Sequence, residues 1–333
     1  MMLVAAATSF LLAFGLTSWL ASDRCEWKIL DTPNYRSLHT RPVPRNGGVA
    51  ILAGIAASWL MLSAAVPGIG DGALWAMSLS ALLVAGISLL DDFKSCPPVL
   101  RFIVHCLAAL VFVVAGLELP PNGWFIVSWF FLIWMTNLYN FMDGMDGFAG
   151  GMSAIGFGWL ALLGWLNHDL GFAATTLVIS LATLGFLARN FPPARIFMGD
   201  SGSVTLGFFA GAFSLWGAGK GIFPIWVAVL IFSPFIVDAS VVLLRRSLLG
   251  ERVWEPHRCH YYQRLVRLGW GHKKTVLAEY GLMLAVGASA LLFRDASGMI
   301  VALVLLVWAG LFTAAMVGVH RLERMNSADH PAT

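Results

Sequence analysis

The chain has little charge: only 12% of its 333 residues are Asp, Glu, Lys or Arg, whereas 59% are hydrophobic. A soluble protein usually carries about twice that charged fraction, so this composition excludes a water-soluble particle. The four cysteines lack the paired spacing of a zinc site or a disulfide framework. The period-2 alternation of a membrane β-barrel is also missing. What remains is a helical protein embedded in a membrane.

Long apolar stretches recur from end to end, each close to the roughly 20 residues that a helix needs to cross a bilayer. They predict an all-α, polytopic integral membrane protein with about eleven transmembrane helices. We interpret residues 1–333 as a single membrane-embedded domain. The expected spans are 2–22, 47–66, 73–90, 99–117, 124–142, 148–166, 171–188, 202–217, 222–244, 276–293 and 298–319.

Basic residues are concentrated on one side of these spans. Nineteen of the 21 Lys and Arg residues lie in or beside the longer loops and the C-terminal tail, and only Lys220 and Arg294 lie on the other side. Because cytoplasmic loops are enriched in Lys and Arg, we expect the N-terminus outside and the C-terminus in the cytoplasm. The cytoplasmic loops that would form a site are 23–46, 91–98, 143–147, 189–201 and 245–275.

Acidic residues form three groups at this predicted cytoplasmic face. Asp91 and Asp92 follow the third span, Asp143 and Asp146 follow the fifth, and Asp200 precedes the eighth. Glycines surround them, and glycine lets a backbone approach a ligand closely. Since the sequence shows few cations nearby, these carboxylates would repel one another unless a metal ion or a cationic group joins them. Hard oxygen ligands suit Mg²⁺ or Mn²⁺ together with substrate phosphates, which predicts phosphoryl chemistry at the membrane surface.

Amide, basic and histidine side chains near the carboxylates are candidate substrate ligands. Asn and Asp supply oxygens, whereas Arg and His can bind the oxygens of a diphosphate. The basic residues are dispersed among short loops, which argues against nucleic-acid binding. The candidate substrate-binding residues are Arg36, His39, Arg45, Gly47, Gly48, Asn137, Asn140, Asp146, His257 and Arg258.

Five segments follow one another along the chain: DTPNYRSLHTRPVPRNGG, LLDDF, NLYNFMDGMDG, RIFMGDSGS and PHRCHYYQRL. In these segments the chain resembles the polyprenyl-phosphate N-acetylhexosaminyl-1-phosphate transferases of glycosyltransferase family 4. The last segment is most similar to the branch that initiates O-antigen. The resemblance implies that an N-acetylated (deoxy)hexosamine 1-phosphate passes from a UDP-sugar to undecaprenyl phosphate in the inner membrane. UMP would be released, Mg²⁺ required, and a surface glycan such as that of lipopolysaccharide begun; a homodimer is left open.

The resemblance and the charge pattern together assign roles. Asp200 and Asn140 are expected to hold Mg²⁺ across the UDP-sugar diphosphate, and Asp143 to support the metal shell. Asp91 or Asp92 would take the remaining proton from the lipid phosphate, which needs only a modest base because its second pKa is about 6. Both a single-step transfer and a two-step route through an aspartyl-phosphoryl intermediate are open.

The last segment departs from the family pattern. Many members carry an H-x-H-H cluster there, and this chain matches only its first histidine, His260. Roles of the other histidines therefore cannot be carried over, and His260 stands as the candidate catalytic residue of this loop. Asp238 lies inside the ninth span, where a carboxylate either serves function or pairs with Arg245 or Arg246.

Two other classes of protein share some of these features. An intramembrane prenyltransferase also uses aspartates and Mg²⁺, but its paired D-x-x-D runs differ from the DD, DGMD and GD segments found here. A secondary transporter would place its charges near the middle of the membrane, between broken helices. Here the charges concentrate at one face, which favours the transferase.

Overall fold

The computed structural model describes residues 1–33, 38, 40–66, 69, 72–118, 123–252 and 257–329, with side chains as far as residue 326. Arg36 and His39 lie outside the described residues. The protein is helical, as predicted, and the segment Val266–Trp270 contains a kink at Gly269, which has a φ of 92°. The helices are α1 Met2–Leu20, α2 Gly47–Ala65, α3 Gly72–Lys94, α4 Pro98–Gly116, α5 Trp124–Phe141, α6 Phe148–Leu166, α7 Leu170–Asn190, α8 Asp200–Gly219, α9 Ile225–Ile231, α10 Ser233–Leu248, α11 Tyr261–Leu265, α12 Gly271–Leu292 and α13 Gly298–Asp329.

Most of these helices can cross a membrane, so the chain is a multi-pass membrane protein. Eight described helical stretches are long and apolar enough, and the bent pair α9–α10 is a ninth candidate. Helices α5 and α8 occupy the two remaining predicted spans but are not among these candidates. Helix α8 is almost entirely buried among other helices and carries Gly, Ser and Thr where a lipid-facing helix carries Leu. The number of eleven crossings therefore stays a prediction.

The predicted span 222–244 is wrong as a single helix. Helices α9 and α10 meet at Phe232 with a bend of 77°. Pro234 stands in the first turn of α10, where its missing N–H costs nothing but where a continuous helix would lose a hydrogen bond. Uninterrupted hydropathy conceals such a break, because proline here lies among apolar residues.

Helix α8 forms the centre of the bundle. A Cβ atom on Gly207 would lie 2.5 Å from the carbonyl oxygen of Met135, so glycine is what lets α8 approach α5 closely. Farther along α8, Phe213 packs edge-on against Phe157 and Phe172 at centroid distances of 6.1 and 5.6 Å. Close packing along its length fixes the position of α8 and hence of Asp200, its first residue.

The first loop and the segment before α8 are joined through their backbones. Two short strands, β1 Leu30–Asp31 and β2 Val43–Pro44, form an antiparallel pair within the first loop. The N–H of Phe197 donates to the carbonyl of Pro44 at 2.7 Å, and the N–H of Gly48 donates to the carbonyl of Met198 at 2.7 Å. A Cβ on Gly48 would lie 2.3 Å from the Gly202 nitrogen, so this crossing requires glycine. The structure thereby brings two distant predicted site loops together.

Candidate active site

Asp92 caps the N-terminus of α8. Its carboxylate oxygens accept the N–H groups of Asp200 at 3.2 Å and Ser201 at 3.1 Å. Arg45 donates to the carbonyl oxygen of Asp92 at 2.8 Å, and only 3% of Asp92 is exposed. A carboxylate stabilises the unpaired N–H groups at a helix N-terminus and their positive dipole. Asp92 therefore holds Asp200 in place from a different helix.

Arg101 lies between two of the predicted catalytic carboxylates. Its Nη1 atom is 2.5 Å from Oδ2 of Asp91 and 3.2 Å from Oδ2 of Asp200. The N–H of Cys96 also donates to Asp91 at 2.6 Å. The expectation of few local cations is therefore wrong, since Arg101 and Arg45 both contact the acidic cluster. The sequence does contain a sign that Arg101 belongs to the site, because an arginine inside an apolar span rarely occurs without a function.

Asn140 and Asp143 complete the acidic cluster. The Nδ2 atom of Asn140 donates to Oδ2 of Asp200 at 3.4 Å, and Ser203 donates to Oδ1 of Asn140 at 3.1 Å. Within the described part of the chain, the Asp143 carboxylate accepts no hydrogen bond. Burial, followed by the negative charges of Asp200 and Asp92, raises the pKa of Asp143 well above its ordinary value.

Asp200 lies just outside the predicted span 202–217, and its carboxylate is electrostatically crowded as well. Burial, together with the negative charges of Asp92 and Asp91, raises the pKa of Asp200 to about 7, although Arg101 acts to lower it. The cluster thus carries more negative charge than its two arginines relieve. A further cation, or proton uptake, would relieve it.

The donor atoms fit a Mg²⁺ ion held by few protein ligands. No set of three or more Asp, Glu, His or Cys side chains in the described ranges converges as a metal site. Mg²⁺ commonly takes one or two carboxylates and completes its shell with water and substrate phosphates. A 180° rotation of the Asn140 amide would bring its oxygen beside Asp200, while the Ser203 hydroxyl could accept from Nδ2. Asp200 and Asn140 can therefore supply two oxygens.

The DGMDG segment is fastened to the loop before α8. Asp146 accepts the N–H of Ala194 at 3.0 Å, and its other oxygen lies 3.2 Å from Nδ1 of His272. Asn190 accepts the N–H of Gly147 at 2.9 Å and donates to the carbonyl of Ile196 at 2.9 Å. His272 and Asn190 were missed in the sequence because each lies at a helix end, where a polar residue usually marks only a boundary.

The loop that carries His260 also reaches this cluster of segments. Nδ1 of His260 lies 3.1 Å from Oδ1 of Asp238, and Asp238 accepts the N–H groups of Tyr261 and Tyr262 at 3.1 and 3.3 Å. Asp238 therefore caps α11 and orients His260. The Tyr262 hydroxyl donates to the carbonyl of Phe141 at 3.3 Å, which brings the fifth motif against the third.

The remaining predicted substrate ligands have no hydrogen bond to the acidic cluster among the described residues. The Asn137 side chain is engaged within the bundle, donating to the carbonyl of Ile133 at 2.7 Å and lying 3.3 Å from Nδ1 of His105. The ring of His257 is 4.9 Å from that of His260, and Arg258 is exposed. Burial, with the charges of His260 and Arg246, lowers the pKa of His257 to about 4. His257 is therefore neutral at neutral pH.

The chain is similar in sequence to known proteins. Residues 74–218 match the model of glycosyl transferase family 4. The chain is 28% identical to a probable undecaprenyl-phosphate N-acetylglucosaminyl 1-phosphate transferase of Bacillus subtilis, covering 85% of this chain and 80% of that protein. It is 29% identical to a decaprenyl-phosphate N-acetylglucosaminephosphotransferase of Mycolicibacterium smegmatis, covering 86% and 81%. It is 25% identical to an undecaprenyl-phosphate alpha-N-acetylglucosaminyl 1-phosphate transferase of Escherichia coli K12, covering 79% and 76%. These matches confirm the resemblance stated from the motifs.

Proposed function

Since the chain is a phosphotransferase of the polyprenyl-phosphate N-acetylhexosaminyl-1-phosphate transferase family, we propose that it moves an N-acetylated hexosamine 1-phosphate from a UDP-sugar to undecaprenyl phosphate. UMP is the second product. One observation carries the proposal: Asp91, Asp92 and Asp200 converge with two arginines at one end of the bundle. Such a site can hold anionic phosphates beside acidic groups at a membrane surface.

The chain's own residues would position and neutralise two phosphate groups. Arg101 and Arg45 stand beside the carboxylates, where they can also reach phosphate oxygens. Phosphoryl transfer depends largely on such positioning and on stabilising spreading negative charge. The tight backbone crossing at Gly48 and Gly202 keeps these groups in register.

We include Mg²⁺, or Mn²⁺ in its place, as the cofactor. Asp200 and Asn140 would hold the ion, with Asp143 beside them. When bound, it neutralises charge on the diphosphate as the phosphoryl group transfers. The crowding that raises the pKa of Asp143 and Asp200 is what an added cation would relieve.

Asp91 is the better placed of the two candidate bases. Both oxygens of Asp92 accept backbone N–H groups of α8, whereas Asp91 accepts one backbone N–H, from Cys96, and its other oxygen pairs with Arg101, a side chain that can turn to a phosphate oxygen. Asp91 would take the proton of the lipid phosphate, whose oxygen then attacks the β-phosphorus of the UDP-sugar. The bond from that phosphorus to the bridging oxygen breaks, and UMP leaves with the oxygen. His260, oriented by Asp238, and the exposed Arg258 would bind donor phosphate or sugar.

We further propose that the chain is one transferase domain with eleven crossings of the inner membrane and the active site at the cytoplasmic face. The distribution of basic residues supports an outer N-terminus and a cytoplasmic C-terminus. Reporter fusions test this arrangement. A fusion after Asn122 should read as periplasmic and one after Lys274 as cytoplasmic, and the opposite pattern at both positions would overturn it.

The identity of the sugar and of the glycan is the most specific part of the proposal. The names of the relatives support N-acetylglucosamine as the sugar. The HYYQ sequence in place of the histidine cluster supports an N-acetylated deoxyhexosamine as a second accepted sugar. We propose that the product begins a lipid-linked surface glycan such as O-antigen.

A two-substrate assay with purified protein tests the function. UMP should appear only when a UDP-sugar, undecaprenyl phosphate and Mg²⁺ are all present, and a panel of UDP-sugars then ranks the donors. UMP release that does not depend on the lipid phosphate would contradict the proposal. Uptake of UDP-sugar into liposomes without any UMP would instead support a transporter.

A further inference from the structure

Helix α13 is only weakly packed within the bundle. Of the candidate spans it has the smallest buried share, 11% of its most apolar window. Its 32 residues would extend about 48 Å, more than the roughly 30 Å of a bilayer's hydrocarbon core. One of its few polar contacts to the bundle is made by Trp308, which donates to Ser289 of α12 at 3.1 Å. Its C-terminal end therefore extends beyond the apolar span and needs another attachment.

That attachment is an ion pair with α11. Arg264 donates from Nε and Nη2 to the two carboxylate oxygens of Glu323, at 2.7 and 2.5 Å. Arg264 is 8% exposed, and its guanidinium stacks over the ring of Tyr261 at 4.5 Å. The Tyr261 ring in turn lies 5.7 Å from that of His320 on α13. Because two parallel hydrogen bonds join the guanidinium to the carboxylate, they fix the orientation of α11 relative to α13 as well as the distance between them.

Helix α11 cannot define its own position. It has five residues, fewer than an isolated helix needs to be stable. Asp238 holds its N-terminus together with His260, and Glu323 holds its last turn through Arg264. The Tyr262 hydroxyl adds a contact to the carbonyl of Phe141 near the middle of α11, and the two anchors at its ends, which come from different helices, set the direction of the segment that carries His260.

We propose that Arg264 and Glu323 form a clamp by which α13 positions the His260 segment for the donor sugar nucleotide. Both are positioning residues, since neither contacts the acidic cluster. The inference rests on the proposed function for its kinetic consequence. Loosening the clamp should weaken donor binding while leaving the acidic cluster and the lipid acceptor untouched.

Charge exchange in the full-length protein tests the clamp. Arg264→Glu and Glu323→Arg should each raise the KM for UDP-N-acetylglucosamine about three- to tenfold, because the pair is charge-assisted but partly exposed. The KM for undecaprenyl phosphate and the kcat should change by less than about twofold. The double variant restores an ion pair and should recover most of the donor KM. Glu323→Gln provides a milder single variant, and the exposed Arg324→Glu is the matched charge control.

Hydrogen–deuterium exchange provides a readout that does not require activity. Peptides covering residues 257–270 should exchange faster in each single variant and return toward wild type in the double variant, while those of α8 stay unchanged. Equal donor KM in all variants, or unchanged exchange at 257–270, overturns the clamp. A wild-type protein that releases no UMP while the exchange pattern appears as expected refutes the proposed function and leaves the clamp as a structural contact only.

Discussion

Helices α7 and α8 each begin with an aspartate cap, and these two caps are built in opposite ways. Helix α7 is capped by Asp169, the residue just before it, which accepts the N–H of Phe172 at 2.8 Å. Lys220 neutralises that carboxylate at 2.8 Å. Helix α8 is capped by Asp92, which lies 108 residues earlier on α3. Around that cap, further carboxylates accumulate, and Arg45 and Arg101 neutralise them only in part.

The two caps are accompanied by pKa shifts of opposite direction. Burial alone would raise the pKa of Asp169, but the hydrogen bond and charge of Lys220, with the Phe172 N–H, lower it overall. At the start of α8, the pKa of Asp200 is raised to about 7. The α7 cap is a self-contained stabilising device. The α8 cap maintains crowded charge that does not favour the fold by itself, which is the usual sign of a functional site.

Removal of divalent metal should have the largest effect, because it leaves that crowded charge without its counter-ion. We expect excess EDTA to abolish UMP release and Mg²⁺ or Mn²⁺ to restore it. Below pH of about 7 protons compete for Asp200, so the metal concentration needed for half activity should rise by up to about tenfold per pH unit. Robust activity in EDTA would contradict the view that the α8 cap, unlike the α7 cap, maintains crowded charge for a metal ion.

Asp200→Asn should have the second-largest effect, a loss of about 1,000-fold in kcat, because the proposed metal and phosphate site loses its main charge. The expression level should not change. Asp169→Asn is the matched control at the other helix and should keep UMP release within about twofold of wild type. Comparable losses in the two variants would mean that Asp200 acts through the fold alone.

Asp92→Asn should lower kcat about 10- to 100-fold, because an amide presents one acceptor oxygen where Asp92 uses two. The displaced α8 N-terminus would move Asp200 rather than remove its charge, so raised Mg²⁺ should recover part of the rate. Steady-state kinetics at increasing Mg²⁺ measures this, and a loss that no metal concentration alters would contradict a positioning role.

Asp169→Asn should have the smallest effect, below about 1 kcal/mol of stability at neutral pH, because Asn still caps a helix and only the partly exposed ion pair with Lys220 and the charge on the helix dipole are lost. Because the folded pKa of Asp169 is lowered, its contribution is present above the unfolded value of about 4 and disappears as pH falls through the folded value. Thermal unfolding in detergent should therefore show a Tm difference at pH 7 that vanishes in acid. A difference that persists in acid would show that the cap does not work through its charge.

Sequence reasoning identified the helical membrane fold and the five motifs, because hydropathy and local motifs are properties of neighbouring residues. It missed what depends on distant partners. The cap on α8 links Asp92 to Asp200, and the residues around LLDDF contain no local pattern that predicts this contact. Arg101 enters the sequence analysis only as one of the basic residues on the predicted cytoplasmic side, although in the fold it reaches across to Asp200. The break before Pro234 was hidden by apolar neighbours on both sides.

The long chain separation of the α8 cap has a consequence for biosynthesis. Residue 92 leaves the ribosome 108 residues before its N–H partner at residue 200. At about 5–20 residues per second, Asp92 must wait roughly 5–20 s for that partner. The acidic cluster thus assembles late, and a chain stalled before α8 inserts contains most of the motifs but lacks Asp200 and the helix that Asp92 caps.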